Sequence, residues 1–269
     1  MDDIGPFTFN AVRFFIGFLA ILPVALLFET KKFKIEFKIG YRYFVILSCF
    51  IGLSLFLGSA LQQIALLYTD VANAAFFTIF YVPMVPIILF IFKRNSLHWS
   101  VWPSVILCLI GGYLLTSFYD ATVRLGDTLV ILGALFWSTH IIFTGMIIAK
   151  YNLPITIGAV QTLIVAIFSF LIGSVYEEFI FENIINEIDS ILYAGILSGG
   201  LAFVLQIYAQ KNITPAPAAI IFSLEGVFAT VAAWFLLNQI LDINNLLGCL
   251  FILSGVLFSQ LVPLIKRTF

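Results

Sequence analysis

Nine apolar stretches, each long enough to cross a bilayer, run almost end to end through the chain and leave little else to fold. They are Pro6–Phe28, Arg42–Leu67, Val71–Phe92, Trp99–Ser117, Asp127–Ala149, Pro154–Ser174, Ser190–Gln210, Pro215–Leu237 and Asn244–Leu264. A hydrocarbon core of about 30 Å takes roughly 20 helical residues, and each stretch supplies that many. Backbone groups in lipid must find partners inside the protein, and continuous apolar runs lack the alternation of a barrel, so the stretches are helices. The expected fold class is all-α, a polytopic integral membrane bundle of nine transmembrane helices. Composition agrees: 62% of residues are hydrophobic and 10% charged, against about 25% charged in soluble domains. The longest connection, Val175–Asp189, leaves no room for a soluble catalytic domain; it is expected to be a solvated acidic loop with a short turn of helix.

Charge gives the orientation, because Lys and Arg in short loops stay on the cytoplasmic side. Alternate loops carry Lys31, Lys32, Lys34, Lys38, Arg42, Lys93, Arg94, Lys150, Lys211, Lys266 and Arg267 on one side, and Arg124 alone on the other. Arg13 lies inside a span and completes the 13. The basic side is therefore read as cytoplasmic, with Met1 outside, the C-terminus inside, and a prokaryotic plasma (inner) membrane as the expected location. Asp2, Asp3, Asp70, Asp120, Asp127, Glu177, Glu178, Glu182, Glu187, Asp189 and Asp242 fall opposite. Cys49, Cys108 and Cys249 sit singly in three spans and are read as packing residues. The start of the chain has no basic n-region and no cleavage site, so the first span is expected to be retained as a helix.

The chain resembles itself. Pro6-Phe7-Thr8-Phe9-Asn10-Ala11-Val12-Arg13 aligns with Pro154-Ile155-Thr156-Ile157-Gly158-Ala159-Val160-Gln161 at an offset of 148. Ala74-Ala75 aligns with Ala218-Ala219 at 144, and Gly112 with Gly255 at 143. Spans one to four thus correspond to spans six to nine, and the fifth has no counterpart before Pro6. The unit is five helices, with residues 1–125 holding a first copy one helix short and residues 126–269 a complete second copy. An odd unit repeated in tandem inserts in opposite orientations, the inverted repeat of many secondary transporters. The split of charge, which puts Met1 outside, agrees.

Leu66-Leu67-Tyr68-Thr69-Asp70-Val71-Ala72-Asn73-Ala74-Ala75 with Tyr81-Val82-Pro83, then Gly126-Asp127-Thr128-Leu129 with Gly133-Ala134-Leu135-Phe136-Trp137, then Ala218-Ala219-Ile220-Ile221-Phe222-Ser223-Leu224-Glu225 carry a likeness. In this order and spacing, over nearly the whole chain, the sequence resembles the EamA-like branch of the drug/metabolite transporter superfamily. The resemblance implies ten helices in two inverted five-helix repeats that move small organic metabolites by alternating access. The chain departs from it by lacking the first helix and by Gly226 where Pro is frequent.

Several polar residues fall inside spans. Glu225 lies near the middle of one, where a carboxylate costs about 2.5–3.5 kcal/mol and should face the bundle or water; Ala218, Ala229 and Ala232 share its face. It is open as a proton-coupling or substrate-amine site and as a structural hydrogen-bonding group. Arg13 shares a face with Asn10, Gly17 and Ala20, and is open as a partner for a substrate carboxylate and as a snorkelling cation. Its repeat partner is Gln161. His140 shares a stripe with Gly133, Trp137 and Thr144; a buried His can relay protons, and Trp137 can stack on a solute, but a neutral structural His fits as well. Ser48, Gly52, Ser59 and Gln62 mark the packed face of the second span. Pro83 and Pro86 interrupt the third span, and Gly226 is the matching loosening in the second half. Asn73, Phe77 and Tyr81 lead to that kink, whereas Pro215 and Pro217 simply start a helix.

The expected substrate cavity is lined by Arg13, Asn73, Tyr81, Trp137, His140, Gln161, Gln206 and Glu225, with Pro83, Pro86 and Gly226 as helix interruptions. The function expected is secondary transport, in the exporting direction, of a small organic metabolite such as an amino acid. The alternative is a truncated, non-transporting membrane subunit that packs with a partner. An enzyme is disfavoured: there is no His-Glu-x-x-His, no intramembrane aspartate pair and no phosphate-binding glycine loop. The partners expected are a small solute, the lipid bilayer and protons as candidate coupling ion, with no nucleic acid, no metal and no cofactor.

Overall fold

The computed structural model describes residues 4–93, 97–115, 124–238 and 240–265. Asp2, Asp3, Arg94, Asp120, Lys266 and Arg267 of the charge count, and Ser117 of the fourth expected span, lie outside the described residues. Among the described residues every regular element is a helix. The chain runs through α1 (Pro6–Phe28), α2 (Thr30–Ala65), α3 (Val71–Thr78), α4 (Tyr81–Lys93), α5 (Val101–Leu115), α6 (Leu125–Tyr151) and α7 (Pro154–Tyr176). After two short helices, α8 (Phe181–Asn186) and α9 (Ile188–Tyr193), come a π-helical segment (Ala194–Ala202), α10 (Phe203–Ala209), α11 (Pro215–Phe222), α12 (Leu224–Leu237) and α13 (Ile243–Ile265).

Eight helical stretches are long and apolar enough to cross a membrane, from Pro6–Phe28 at a mean hydropathy of 2.4 to Ile243–Ile265 at 2.1, and Val101–Leu115 is a shorter apolar helix. These are the nine spans read from the sequence. Proline opens α1, α7 and α11, where its missing N–H costs nothing. Gly40 leaves helical geometry inside α2 and separates a basic entry segment from the span Gly40–Ala65.

The helices gather into two compact units. The first takes the chain up to Ile64 and returns for Phe143–Ile213; the second takes Ala65–Ile142 and the chain from Thr214 onward. Each unit therefore draws helices from both halves of the sequence, and α6 is divided between them.

In the first unit α1 and α7 pack antiparallel. Glu177, at the C-terminal end of α7, accepts hydrogen bonds from Phe7 N (2.9 Å), Thr8 N (2.7 Å) and Thr8 Oγ1 (2.7 Å). Glu29, at the C-terminal end of α1, accepts from Ile155 N (3.2 Å), Thr156 N (2.7 Å) and Thr156 Oγ1 (2.7 Å). Both sets are related by the offset of 148, so the repeat seen in the sequence is present as matched contacts. Glu177 is thus a helix cap rather than part of a solvated acidic face; the rest of that connection does carry the expected helical turn, Phe181–Asn186. Near the Glu29 end, Lys32 Nζ donates to Asn152 O (2.9 Å) and Tyr151 OH to Gly40 O (2.8 Å). The apolar core beneath holds Phe44, Leu47, Ile51, Ile147, Ile148, Tyr151, Leu153, Ile157 and Ile207.

In the second unit the main antiparallel pair is α5 with α13, held by close backbone approach. A Cβ at Gly111 would meet Gly248 O at 2.7 Å, one at Gly248 would meet Gly111 O at 2.8 Å, and one at Gly255 would meet Ser104 O at 2.9 Å. Small residues at such crossings are what let helices without a hydrophobic drive associate in lipid. The N-terminus of α6 is capped by the buried Asp127, which accepts from Arg124 N (2.8 Å) and from the Thr69 hydroxyl. Asp127 is therefore a structural cap and not a free outer-face charge.

Candidate functional site

Two helices of the second unit are broken in mid-span. The α-helical pattern fails at Ile79 and Phe80 between α3 and α4, and at Ser223 between α11 and α12. The first break follows from Pro83: it has no N–H for the carbonyl of Ile79, four residues back, and its ring crowds that carbonyl. Val82 N instead bonds Ile79 O at 2.9 Å, a tighter turn. At the second break Gly226 N bonds Ser223 O at 3.2 Å, and Ser223 Oγ donates to Ile220 O at 2.6 Å. Pro86 stays inside α4 without ending it. Ile79 and Ser223 differ by the repeat offset of 144, so the two breaks are equivalent positions. Two residues beyond each break stand Tyr81 and Glu225, again 144 apart.

Tyr81 opens α4 and is 4% exposed, and its hydroxyl has no hydrogen-bond partner among the described residues. Its electrostatic neighbours are Glu225 and Cys108. Cys108 Sγ lies 3.4 Å from Ser223 Oγ, whose proton goes to Ile220 O, and this contact ties the second break to α5. Glu225 lies in the first turn of α12 and is exposed. Both breaks are single tight turns whose backbone stays in the right-handed helical region, Ile79 at φ −57° and ψ −17° and Ser223 at φ −61° and ψ −15°. Ser138 Oγ on α6 reaches Tyr81 O at 3.4 Å while donating to Ala134 O at 2.7 Å. On the same helix, the fully buried His140 meets the half-buried Trp137 edge to face, 6.1 Å between centroids. Asn73 is half-buried in the first turn of α3. Among the described residues no group of His, Cys, Asp or Glu could hold a metal ion.

The first unit holds the other polar residues read from the sequence. Arg13 is half-buried, with its guanidinium over the rings of Phe9 (5.2 Å) and Phe14 (4.8 Å) and no carboxylate partner among the described residues. One turn earlier, Asn10 is fully buried, and neither of its amide atoms has a partner there. This face of α1 is pressed on the π-helical segment: a Cβ at Gly195 would meet Arg13 O at 2.7 Å, and one at Gly17 would meet Gly195 O at 2.8 Å. Gln161 is buried on α7. The two capped ends set Thr8 level with Glu177 and Glu29 level with Thr156. Gln161 is then level with Val24, about 16 Å along the axis from Arg13 at 1.5 Å per residue. Arg13 and Gln161 are equivalent in the repeat but lie at different depths. Gln206 is half-buried on α10.

Ser138, Cys108 and Ser223 were not singled out by sequence as site residues. For Ser223 a signal existed, since it is the repeat equivalent of Ile79 and precedes Glu225 by two. Gln210, buried with both amide atoms unpartnered among the described residues, was equally silent.

The sequence matches the model of the EamA-like transporter family over residues 1–117 and 124–261. An uncharacterized transporter of Archaeoglobus fulgidus is 30% identical over 261 residues, covering 97% of this chain and 79% of that protein. The uncharacterized transporter YoaV of Bacillus subtilis is 24% identical over 275 residues, covering 96% and 88%. A crystal structure of a protein 16% identical in sequence shares the fold, with a TM-score of 0.78 over 96% of this chain and 88% of that one. Eight span-length apolar helices and a shorter one among the described residues, a sequence repeat expressed as matched contacts, and these likenesses lead to one conclusion: the chain is an integral membrane protein that belongs to the EamA-like transporter family.

Proposed function

We propose that this protein is a secondary transporter that exports a small organic metabolite, such as an amino acid or a related compound, by alternating access. The observation that carries the reading is the pair of equivalent helix breaks with Tyr81 and Glu225 just beyond them. Interrupted helices at corresponding places in two repeats are where secondary transporters bind solute and coupling ion. Glu225 is assigned to proton coupling, because a carboxyl at this depth has few other uses and can gain or lose a proton as access changes. Tyr81, Trp137 and His140 are assigned to solute contact in the second unit, and Arg13 to a solute carboxylate in the first. The two repeats, residues 1–125 and 126–269, are taken to insert in opposite orientations, with the C-terminus cytoplasmic as the basic loops require.

The test is counterflow. Proteoliposomes preloaded with a mixture of unlabelled amino acids should accumulate labelled external amino acids above protein-free vesicles, and Tyr81→Phe should reduce the rate. Uptake equal to that of empty vesicles for amino acids, amines and nucleobases alike would contradict the reading.

A further inference from the structure

An isolated helix satisfies its first N–H groups with a side chain of its own N-cap, but neither α1 nor α7 does so. Each takes its cap from the C-terminal residue of the other helix. Glu177 closes the start of α1 with three hydrogen bonds, and Glu29 closes the start of α7 with three. A local cap would stabilise a helix end without regard to its neighbour. A cap borrowed from the neighbour ties helix formation at that end to contact between the two helices.

The two sets use the same atoms. In each, one carboxylate oxygen takes a backbone N–H, while the other takes the next N–H and the hydroxyl of the same threonine. Gly5 makes room on one side, since a Cβ there would run into the Glu177 carboxyl group. Because α1 and α7 are antiparallel, the two clasps lie at opposite ends of the pair. If one opens while the other holds, the closed end acts as a hinge. That is the geometry needed for access to alternate between two sides.

We propose that Glu29 and Glu177 are a matched pair of gate clasps, each closing the α1–α7 pair at its own end and released in turn during transport. They are positioning residues: neither is assigned to touch solute, and each acts by holding the helix that carries Arg13 or Gln161. The proposal rests on the alternating-access reading above but is tested without any solute.

The probe is a membrane-impermeant maleimide, applied from either side to the full-length protein in liposomes with Cys49, Cys108 and Cys249 replaced by Ala. A single cysteine is placed by Ala11→Cys or by Ala159→Cys, equivalent buried positions one turn inside each clasp. Glu177→Gln keeps the shape but turns an NH2 toward N–H donors. It is expected to speed labelling of the cysteine at position 11 about tenfold, the factor given by losing one charged hydrogen bond, and, because the clasps are released in turn, to slow labelling at position 159. Glu29→Gln is expected to do the reverse. A merely structural cap would loosen its own end and leave the other unchanged, or loosen both, and either pattern, or no change in either, overturns the proposal. Should a glutamine variant fail to assemble, Thr8→Val and Thr156→Val remove one of the three bonds from the other side and are read the same way. Mirrored labelling in a protein that moves no solute would keep the clasps and sink the transport reading; uniform labelling in a protein that transports would do the opposite.

Discussion

The helix pairs α1–α7 and α5–α13 are both antiparallel, yet they are held in opposite ways. The first is fastened at its two ends by carboxylates, with a mixture of small, polar and apolar residues buried along the two helices between them. The second is fastened along its middle, where Gly111, Gly248 and Gly255 bring backbones into contact, and no carboxylate clasp is found on it among the described residues. A glycine contact is steric and always present, whereas a carboxylate clasp can be opened and closed. On the clasp proposal, the pair in the second unit is the rigid one and the pair in the first is the one that opens.

The sharpest way to break that contrast is to crowd the rigid pair. In Gly248→Val the new Cβ would sit 2.8 Å from Gly111 O and 2.8 Å from the Leu115 side chain, and a carbonyl cannot step aside. A loss of about 3 kcal/mol is expected, seen as a collapse of monodisperse yield in detergent; a normal thermal transition would mean that the pair is looser than described. Next in size are the clasps. Glu177→Gln and Glu29→Gln should each cost about 1.5 kcal/mol, the tenfold effect expected of one charged hydrogen bond, and the double variant close to the sum, because the ends are far enough apart to be independent. A double variant no worse than either single would show that they open together.

Smaller still is Tyr81→Phe. Its hydroxyl has no hydrogen-bond partner among the described residues, so removal should move the thermal transition by less than about 0.5 kcal/mol while lowering counterflow. A large loss of stability would show that the hydroxyl is structural. The smallest effect is expected at Arg124→Gln, whose ion pair with Asp70 at 2.8 Å is exposed on both sides. Such pairs contribute little, and the transition should not move measurably in either low or high salt.

Much of this was legible in the sequence, because membrane helices are fixed by length and apolarity, and Pro6–Phe28 matches a helix residue for residue. The repeat was legible too, but its meaning was not. Thr8 to Glu177 and Thr156 to Glu29 are cross-helix pairs, and a glutamate at the end of a span reads first as a loop charge. The clue was that Thr8 precedes Glu29 and Thr156 precedes Glu177 by the same interval. Proline located the first break only to within a turn, since it acts on the carbonyl four residues earlier, and the second break has no proline at all. Arg13 and Gln161 were grouped in one cavity because sequence gives depth from the near end of a span. Their different depths appear only once the register of α1 on α7 is known.

The most direct test of the account is the dependence of flux on an imposed pH gradient in proteoliposomes, comparing the natural protein with Glu225→Gln. The gradient should accelerate amino-acid flux in the natural protein and leave the variant, which still exchanges solute at equal pH, unaffected. The same acceleration in both would contradict it.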